Sequence, residues 1–294
     1  MKPAQFQYAA PESVDEALAI LAKYGGDGKI LAGGQSLVPL LAMRLARPAV
    51  LIDLNRLADL DYIRAEDGEI AIGAMTRQRA VERSPLVRDR LPLLWEAIRF
   101  VGHPQIRNRG TVGGSLAHAD PSAELPAVAV ATGATMVLHR GKTRRTINAE
   151  EFFVSYLTTA LEPDELLVEV RFPVRDSAGT AFDEVARRHG DYALAGVAAM
   201  VTVRDGTCRQ VRLAFTGVGP VPVRIPDAES ALTGRAPTEP AFAEAAHIVS
   251  ERLDPDSDIH ASAAYRKHVA GVLTTRALTR AVERATQQTD EDRA

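Results

Sequence analysis

Two short glycine motifs carry the residue types and the spacing that suggest chemistry in this chain. The motifs are AGGQS, which comprises Ala32, Gly33, Gly34, Gln35 and Ser36, and TVGGS, which comprises Thr111, Val112, Gly113, Gly114 and Ser115. Consecutive residues without side chains let main-chain N–H groups approach an anion closely. A helix that starts immediately afterwards adds unpaired N–H groups and partial positive charge. Two such turns suit a diphosphate ligand, such as a dinucleotide, that is held from both sides.

Two familiar phosphate-binding motifs are absent from the sequence. There is no G-x-x-x-x-G-K-[ST], and no G-x-G-x-x-G opens a helix, so neither a P-loop NTPase nor a Rossmann dinucleotide site is indicated. A Gly-Gly pair on its own is also typical of an ordinary tight turn. The motifs by themselves therefore leave both interpretations open.

The elements around the first motif form a compact unit. Ser13 and Glu16 have the spacing of a capping box, and the helix that they open stops at two glycines. The pattern then predicts a strand over Lys29–Ala32, a helix over Leu37–Leu45 and a strand over Ala49–Leu54. The first 57 residues are therefore expected to form an N-terminal α/β subdomain, with the glycine turn between a strand and a helix.

The second motif belongs to a larger predicted α/β subdomain, residues 58–175. Glu69–Thr76 alternates like a strand, and Pro92–Gly102 has the pattern of a helix. Two further strands are predicted at Thr135–Arg140 and Leu166–Val174.

Residues 176–286 are expected to form a C-terminal domain that contains an antiparallel sheet and helices. Alternating apolar residues over 201–215 flank Asp205-Gly206, a pair typical of a hairpin turn. Apolar spacing predicts two helices, around residues 242–253 and 265–273. The polar tail, residues 287–294, is predicted to be disordered.

Charge and cysteine content exclude several classes of protein. The net charge of −3 gives no support for a nucleic-acid surface. The single cysteine, Cys208, excludes an intrachain disulfide and an iron–sulfur cluster built from this chain alone. The apolar run Ala193–Val201 is less than half of the ~20 residues that a membrane helix needs, and the N-terminus lacks the apolar core of a secretion signal. A cytoplasmic protein without an integral membrane segment is expected.

Three stretches of the sequence resemble one known family. AGGQSLVPLLAMRLARPAVLIDL, NRGTVGGSLAHADPSAELP and ARRHGDYALAGVAA resemble the FAD-binding medium subunit of the molybdenum hydroxylases, which include aerobic carbon monoxide dehydrogenase and xanthine dehydrogenase. The match runs in order over essentially the whole chain. It implies an α+β fold, in which a two-subdomain FAD-binding α/β fold of the vanillyl-alcohol-oxidase (PCMH) type is followed by a C-terminal antiparallel sheet with helices.

The resemblance also implies a set of FAD contacts. The two glycine motifs would wrap the FAD pyrophosphate and adjoining groups. Glu124 stands at the place of an acidic contact and Leu161 at the place of a main-chain contact. Asp191 and Tyr192 would lie near the isoalloxazine, with the tyrosine stacked on one face. His118 belongs to the loop that faces the flavin.

Several other residues allow more than one interpretation. His118 and Asp120 could form a metal pair or an acid–base couple, but a metal site would need more clustered ligands. Some distant flavoproteins attach FAD through a histidine, such as His118 or His103 here, whereas the resemblance implies non-covalent FAD. Asp183 stands where xanthine-oxidising relatives have a lysine near the flavin. Whether Asp183 contacts the flavin is therefore left open. The arginines near these motifs are interpreted as loop and interface charges: Arg107, Arg109, Arg187 and Arg188.

The function that the resemblance implies is electron transfer. The chain would carry FAD, take electrons from [2Fe–2S] clusters of a small partner subunit and pass them to an external acceptor. A large partner subunit would hold the molybdopterin, in a dimer of heterotrimers. A stand-alone FAD-dependent oxidoreductase and an assembly subunit without flavin are the alternatives. The substrate of the whole complex and the terminal acceptor are left open.

Overall fold

The computed structural model describes residues 2–291, with side chains as far as residue 287. Its first part contains a small parallel sheet with strand order β1-β3-β2, in which the strands are β1 (Gln7–Ala9), β2 (Gly28–Leu31) and β3 (Val50–Asp53). The helices beside it are α1 (Val14–Tyr24) and α2 (Leu37–Ala42). As the capping-box spacing predicts, the Ser13 hydroxyl accepts a hydrogen bond from the Glu16 N–H, 3.2 Å away.

The second part is built on an antiparallel sheet with strand order β4-β5-β10-β6-β7. Its strands are β4 (Ile63–Glu66), β5 (Glu69–Gly73), β6 (Thr135–Arg140), β7 (Thr143–Asn148) and β10 (Leu166–Pro173), and a short ladder joins β8 (Phe153–Ser155) to β9 (Thr158–Thr159). The helices are α3 (Gln78–Arg83), α4 (Pro85–Arg90), α5 (Pro92–Ala97), α6 (Pro104–Arg107), α7 (Val112–His118), α8 (Glu124–Thr132) and α9 (Ala149–Phe152). Every residue of α8 is buried, which makes this helix the centre of the largest core.

The third part is an antiparallel sheet with strand order β11-β12-β13-β14. Its strands are β11 (Ala178–Ala186), β12 (Ala193–Arg204), β13 (Thr207–Thr216) and β14 (Val223–Arg224), followed by α10 (Pro226–Leu232), α11 (Glu239–Arg252) and α12 (Ala263–Glu291). The predicted hairpin is confirmed between β12 and β13. Both residues of its turn have positive φ, 51° at Asp205 and 68° at Gly206, as a type I′ turn requires.

The third sheet has two faces that pack against different partners. Val197 and Ala199 belong to the core that this sheet forms with α11 and α12. Phe182 and Ala198 belong to the core of the second part, because α5 packs against β11 and α8 packs against β12 and β13. Alternate residues of a strand point to opposite faces, so the second face forms a seam between the third sheet and the helices of the second part.

The structure corrects some element boundaries. The helix that starts at Pro92 ends at Ala97 instead of continuing to residue 102. The strand β1 was not predicted, because three residues carry little periodicity. Residues 287–291, expected to be disordered, continue α12, while residues 292–294 lie outside the described residues. Each residue added to a packed helix gains a hydrogen bond without a new nucleation cost, and here Arg284 donates to the Glu96 carboxylate, 2.9 Å away.

Candidate cofactor site

The first glycine motif is an open turn between β2 and α2. Gly34 has φ +75°, a left-handed conformation that glycine adopts without strain. The turn is held by the Val38 N–H, which donates to the Gly34 carbonyl at 3.0 Å, and by the Gln35 side-chain amide, which donates to the Gly33 carbonyl at 3.2 Å. None of the described residues accepts a hydrogen bond from the N–H groups of residues 33–36. These groups are donors available to a ligand.

The second glycine motif is closed. Thr111 is the N-cap of α7, so Gly113 and Gly114 lie inside the first helical turn. The N–H groups of this motif donate to acceptors within the protein: Val112 to Thr76 O (3.0 Å), Gly113 to Ala74 O (2.9 Å), Gly114 to Thr111 Oγ1 (3.0 Å) and Ser115 to Thr111 O (3.1 Å). The second motif therefore differs from the first, because its main-chain donors are used to attach α7 to the segment that follows β5.

The two motifs meet in space although they are far apart in sequence. A Cβ atom placed on Gly33 would lie 2.4 Å from the carbonyl oxygen of Arg109 and 2.7 Å from the Cα of Gly110. A Cβ atom placed on Gly114 would lie 3.2 Å from the Cβ of Ala32. Both glycines are needed for this close approach, and the contact places the two motifs beside one site.

A cavity of about 350 Å³ opens at the first motif. Its lining residues come from both motif regions: Leu31, Ala32, Gly33, Gly34, Gln35, Val38, Pro39, Asp53, Asn55 and Arg109. The Asn55 side-chain amide donates to the Ala32 carbonyl at 3.0 Å, and Arg77 donates to the Asn55 amide oxygen at 2.6 Å. These bonds tie the turn to β3 and to the start of α3.

The charges in this cavity were not identified from the sequence. Burial raises the pKa of Asp53, but hydrogen bonds from the Asn55 N–H and the Tyr8 hydroxyl outweigh burial and lower it, so Asp53 is a carboxylate at neutral pH. Arg109 is exposed and belongs to none of the ion pairs in the described part of the chain. Its guanidinium places a positive charge on the cavity wall and also acts on the Asp53 carboxylate, whose pKa it lowers. In the sequence, the signal that could have identified Arg109 as a site residue was its position just before the second motif.

Tyr192 joins the site from the loop between β11 and β12. The Ser36 and Asp120 side chains lie close enough to the Tyr192 hydroxyl to affect its pKa. Burial of the hydroxyl and the Asp120 carboxylate raise the pKa of Tyr192, while 60% of the residue is exposed to solvent. The phenol ring therefore lies at the mouth of the site, between the first motif and the loop after α7.

His118 and Glu124 lie on either side of that loop. Burial lowers the pKa of His118, so its imidazole is neutral at pH 7. Glu124 begins α8 and is only 6% exposed. Burial and the nearby Asp120 raise the pKa of Glu124, against the opposing effect of Arg107. A buried carboxyl group with a raised pKa is characteristic of functional sites.

Two of the predicted contact residues, Leu161 and Asp191, form bonds within the protein, and their roles as FAD contacts stay predictions. The Leu161 N–H donates to the Thr159 hydroxyl at 3.4 Å, and Leu161 is not among the residues that line the cavity. The Asp191 carboxylate forms ion pairs with two arginines of its own loop, Arg187 at 3.5 Å and Arg188 at 3.4 Å. Asp183 lies 3.5 Å from Arg280 of α12, on the strand face directed away from the seam.

Residues 2–291 contain no group of three or more His, Cys, Asp or Glu side chains arranged to hold a metal ion. No helix within them combines the length and the apolar character needed to cross a membrane.

Comparison with known families assigns the class of the protein. Residues 4–175 match the family described as FAD binding domain in molybdopterin dehydrogenase, and residues 180–281 match the CO dehydrogenase flavoprotein C-terminal domain. The chain thus has the two-domain architecture of these flavoproteins. It belongs to the family of FAD-binding medium subunits of the molybdenum hydroxylases, and it is an oxidoreductase subunit.

Individual relatives match over nearly their whole length. The alpha subunit of the 6-hydroxypseudooxynicotine dehydrogenase complex of Paenarthrobacter nicotinovorans is 45% identical, with 97% of each chain covered. A chain in the structure of carbon monoxide dehydrogenase from Hydrogenophaga pseudoflava is 42% identical and superposes with a TM-score of 0.94, covering 97% of this chain and 99% of that one. A chain of quinoline 2-oxidoreductase from Pseudomonas putida 86 is 38% identical, with a TM-score of 0.92 and coverage of 98% and 99%.

Proposed function

We propose that this chain transfers electrons through FAD within a molybdenum hydroxylase complex. It receives them from [2Fe–2S] clusters of a partner subunit and passes them to an external acceptor. The observation that supports this proposal is the junction of the two glycine motifs, where N–H groups with no acceptor among the described residues and the exposed Arg109 lie at one cavity. Main-chain donors and a cation are the groups that hold a diphosphate.

The residues at this junction fit the anionic part of FAD. The N–H groups of Gly33 and Gly34, the Ser36 hydroxyl and the Arg109 guanidinium would hold the pyrophosphate. The second motif would contribute the Ser115 hydroxyl, since its main-chain donors are already used. The cofactor itself supplies the redox chemistry, because it accepts two electrons and releases them to an acceptor. The protein binds and orients it.

The same proposal includes partner subunits. One cysteine cannot ligate an iron–sulfur cluster, so the clusters would lie on a small subunit and the molybdopterin on a large one, in a dimer of heterotrimers. The relatives are named as a subunit and a medium chain of dehydrogenases. A cytoplasmic location is proposed because a single cysteine suits a reducing compartment.

The experiment is a titration of the purified full chain with FAD, followed by absorbance and fluorescence. We expect saturable binding and release of free FAD on denaturation. Arg109→Ala should weaken binding by about tenfold to a hundredfold, the usual effect of losing a hydrogen bond to a charged group. Arg88→Ala is the matched control, since Arg88 is exposed and pairs with Asp89 on α4.

Two outcomes would contradict the proposal. A folded chain that takes up no FAD would favour the assembly subunit without flavin. FAD-loaded chain that purifies from its native source without iron or molybdenum would favour the stand-alone oxidoreductase.

A further inference from the structure

One arginine outside the cavity wall joins the two glycine motifs. Arg77 precedes α3 and is not among the residues that line the cavity. Its guanidinium donates from Nη1 to the Arg109 carbonyl oxygen and from Nη2 to the Asn55 amide oxygen, which is 2.6 Å away. The Asn55 amide nitrogen in turn donates to the Ala32 carbonyl at 3.0 Å. A continuous path of hydrogen bonds therefore runs from the first motif to the segment just before the second.

The Arg109 carbonyl group lies where the two motifs meet. A Cβ atom placed on Gly33 would lie 2.4 Å from this oxygen. The main chain at Arg77 also forms an isolated β-bridge with Thr111, the first residue of the second motif. The N–H of the next residue in the chain donates to the Gly110 carbonyl at 2.9 Å. The start of α3 thus holds the backbone on which the first motif rests.

Asn55 is fixed on its other side by the small parallel sheet. The Asp53 carboxylate accepts hydrogen bonds from the Asn55 N–H, at 2.9 Å, and from the Asn55 side-chain amide. It also accepts one from the Tyr8 hydroxyl, at 2.7 Å. Asp53 ends β3 and Tyr8 belongs to β1. The path therefore spans the first and second parts of the molecule, with one end anchored in the sheet and the other at Arg109.

The chemistry of the guanidinium group suits this bridge. Its N–H donors stand in a fixed planar fork, so one group can hold two acceptors at a set distance from each other. Arg77 is half-buried, and it belongs to none of the ion pairs in the part of the chain that the structure describes. Both of its acceptors are neutral oxygens. Its bonds therefore position the two acceptors instead of neutralising a carboxylate.

We propose that Arg77 is a positioning residue for the cofactor site and forms, with Asn55, a clamp that fixes the two glycine motifs relative to each other. The inference rests on the proposed FAD function. The clamp holds the Ala32 and Arg109 carbonyl groups, so the N–H groups of the first motif and the Arg109 guanidinium face one cavity. Without it, FAD would have to order these groups on binding, which costs affinity.

The test is a titration of the purified full chain with FAD. Arg77→Ala should weaken binding by about tenfold to a hundredfold, as expected for the loss of hydrogen bonds from a charged group. Arg79→Ala is the matched control, because Arg79 lies on α3 and pairs with Glu82 at 2.7 Å, away from both motifs. It should change the affinity by less than about threefold.

Arg77→Lys separates geometry from charge and serves if Arg77→Ala does not fold. Lysine keeps the positive charge but cannot hold both acceptors with one planar group, so most of the affinity should still be lost. Wild-type affinity in Arg77→Lys would overturn the inference. Methylguanidinium, added to Arg77→Ala, should restore part of the affinity, whereas methylammonium should not. Equal effects of the two cations would assign the arginine a structural role only.

A double-mutant cycle tests whether Arg77 and Asn55 act as one clamp. If they do, Arg77→Ala and Asn55→Ala together should cost about as much FAD affinity as the larger of the two single losses. Losses that multiply would show that the two residues act independently, which contradicts a clamp.

The outcomes separate the two proposals. If the wild-type chain binds no FAD, the proposed function fails, and this inference fails with it. If FAD binds and Arg77→Ala has the affinity of Arg79→Ala, only the inference is overturned.

Discussion

The two glycine motifs share a Gly-Gly pair and a nearby serine, but their main-chain N–H groups are used differently. At the first motif, the N–H groups of residues 33–36 have no acceptor among the described residues. At the second motif, the N–H groups of residues 112–115 all donate to oxygens within the protein. The comparison shows that a Gly-Gly pair can present donors to a ligand or allow two segments to pack closely. The surrounding structure decides which of these roles it has.

The packing role is visible at Gly113. A Cβ atom placed there would lie 2.5 Å from the Cβ of Ala74 and 2.7 Å from its carbonyl oxygen, so glycine is required for α7 to lie against the segment after β5. Thr111 completes the attachment by capping α7. The second motif thus holds the first in place, since Ala32 and Gly33 rest against residues 109, 110 and 114.

The largest effect is expected at the packed motif. Gly113→Val should destabilise the chain by about 3 kcal/mol or more, because a buried β-branched side chain would collide with the backbone at Ala74. Urea unfolding of the variant and of the wild-type chain measures this. Gly34→Ala is the comparison, since its cost is the left-handed φ and should be about 1 to 2 kcal/mol. Equal costs would contradict the distinction between the motifs.

A second effect should appear at the open motif and should leave stability unchanged. Ser36→Ala removes a hydroxyl that lies near the Tyr192 hydroxyl at the mouth of the cavity, and we expect about a tenfold loss of FAD affinity, equivalent to about 1.4 kcal/mol. Titration with FAD measures the affinity, and thermal unfolding checks the fold. Unchanged affinity in a folded variant would show that this turn does not bind FAD.

The cap of α7 provides the converse test. Thr111→Val keeps the volume of the side chain but removes the oxygen that accepts from the Gly114 N–H, so the free energy of unfolding should fall by about 1 kcal/mol. In a titration with FAD, the affinity of Thr111→Val should change less than that of Ser36→Ala. A larger loss of affinity in Thr111→Val would reverse the assignment of the two motifs.

The smallest effect concerns pH. In the folded chain, burial lowers the pKa of His118, at the end of α7, below its ordinary value of about 6.5. As pH falls through that value, the unfolded chain binds more protons than the folded chain, so stability decreases on acidification. His118→Gln should reduce this loss, as measured by the melting temperature between pH 7 and pH 5. An unchanged acid dependence would mean that His118 can be protonated in place.

Local features were predictable from the sequence because they depend on neighbours in the chain. The capping box at Ser13 and the hairpin at Asp205-Gly206 are both confirmed. The family was recognisable for the same reason, since its motifs are contiguous stretches. Element ends were less predictable: α12 continues to Glu291 because its packed residues upstream already form the helix. The roles of individual FAD contacts, including Leu161 and Asp191, stay predictions.

The sequence by itself determined the two motifs, their spacing and the family to which they point. Only the tertiary structure decided which motif keeps its donors, because the acceptors at Ala74 and Thr76 come from a distant segment. It also brought Arg109 to the cavity beside the first motif. A hydrogen-bond donor is available to a ligand only when no part of the folded chain has taken it, and that depends on contacts which no local pattern encodes.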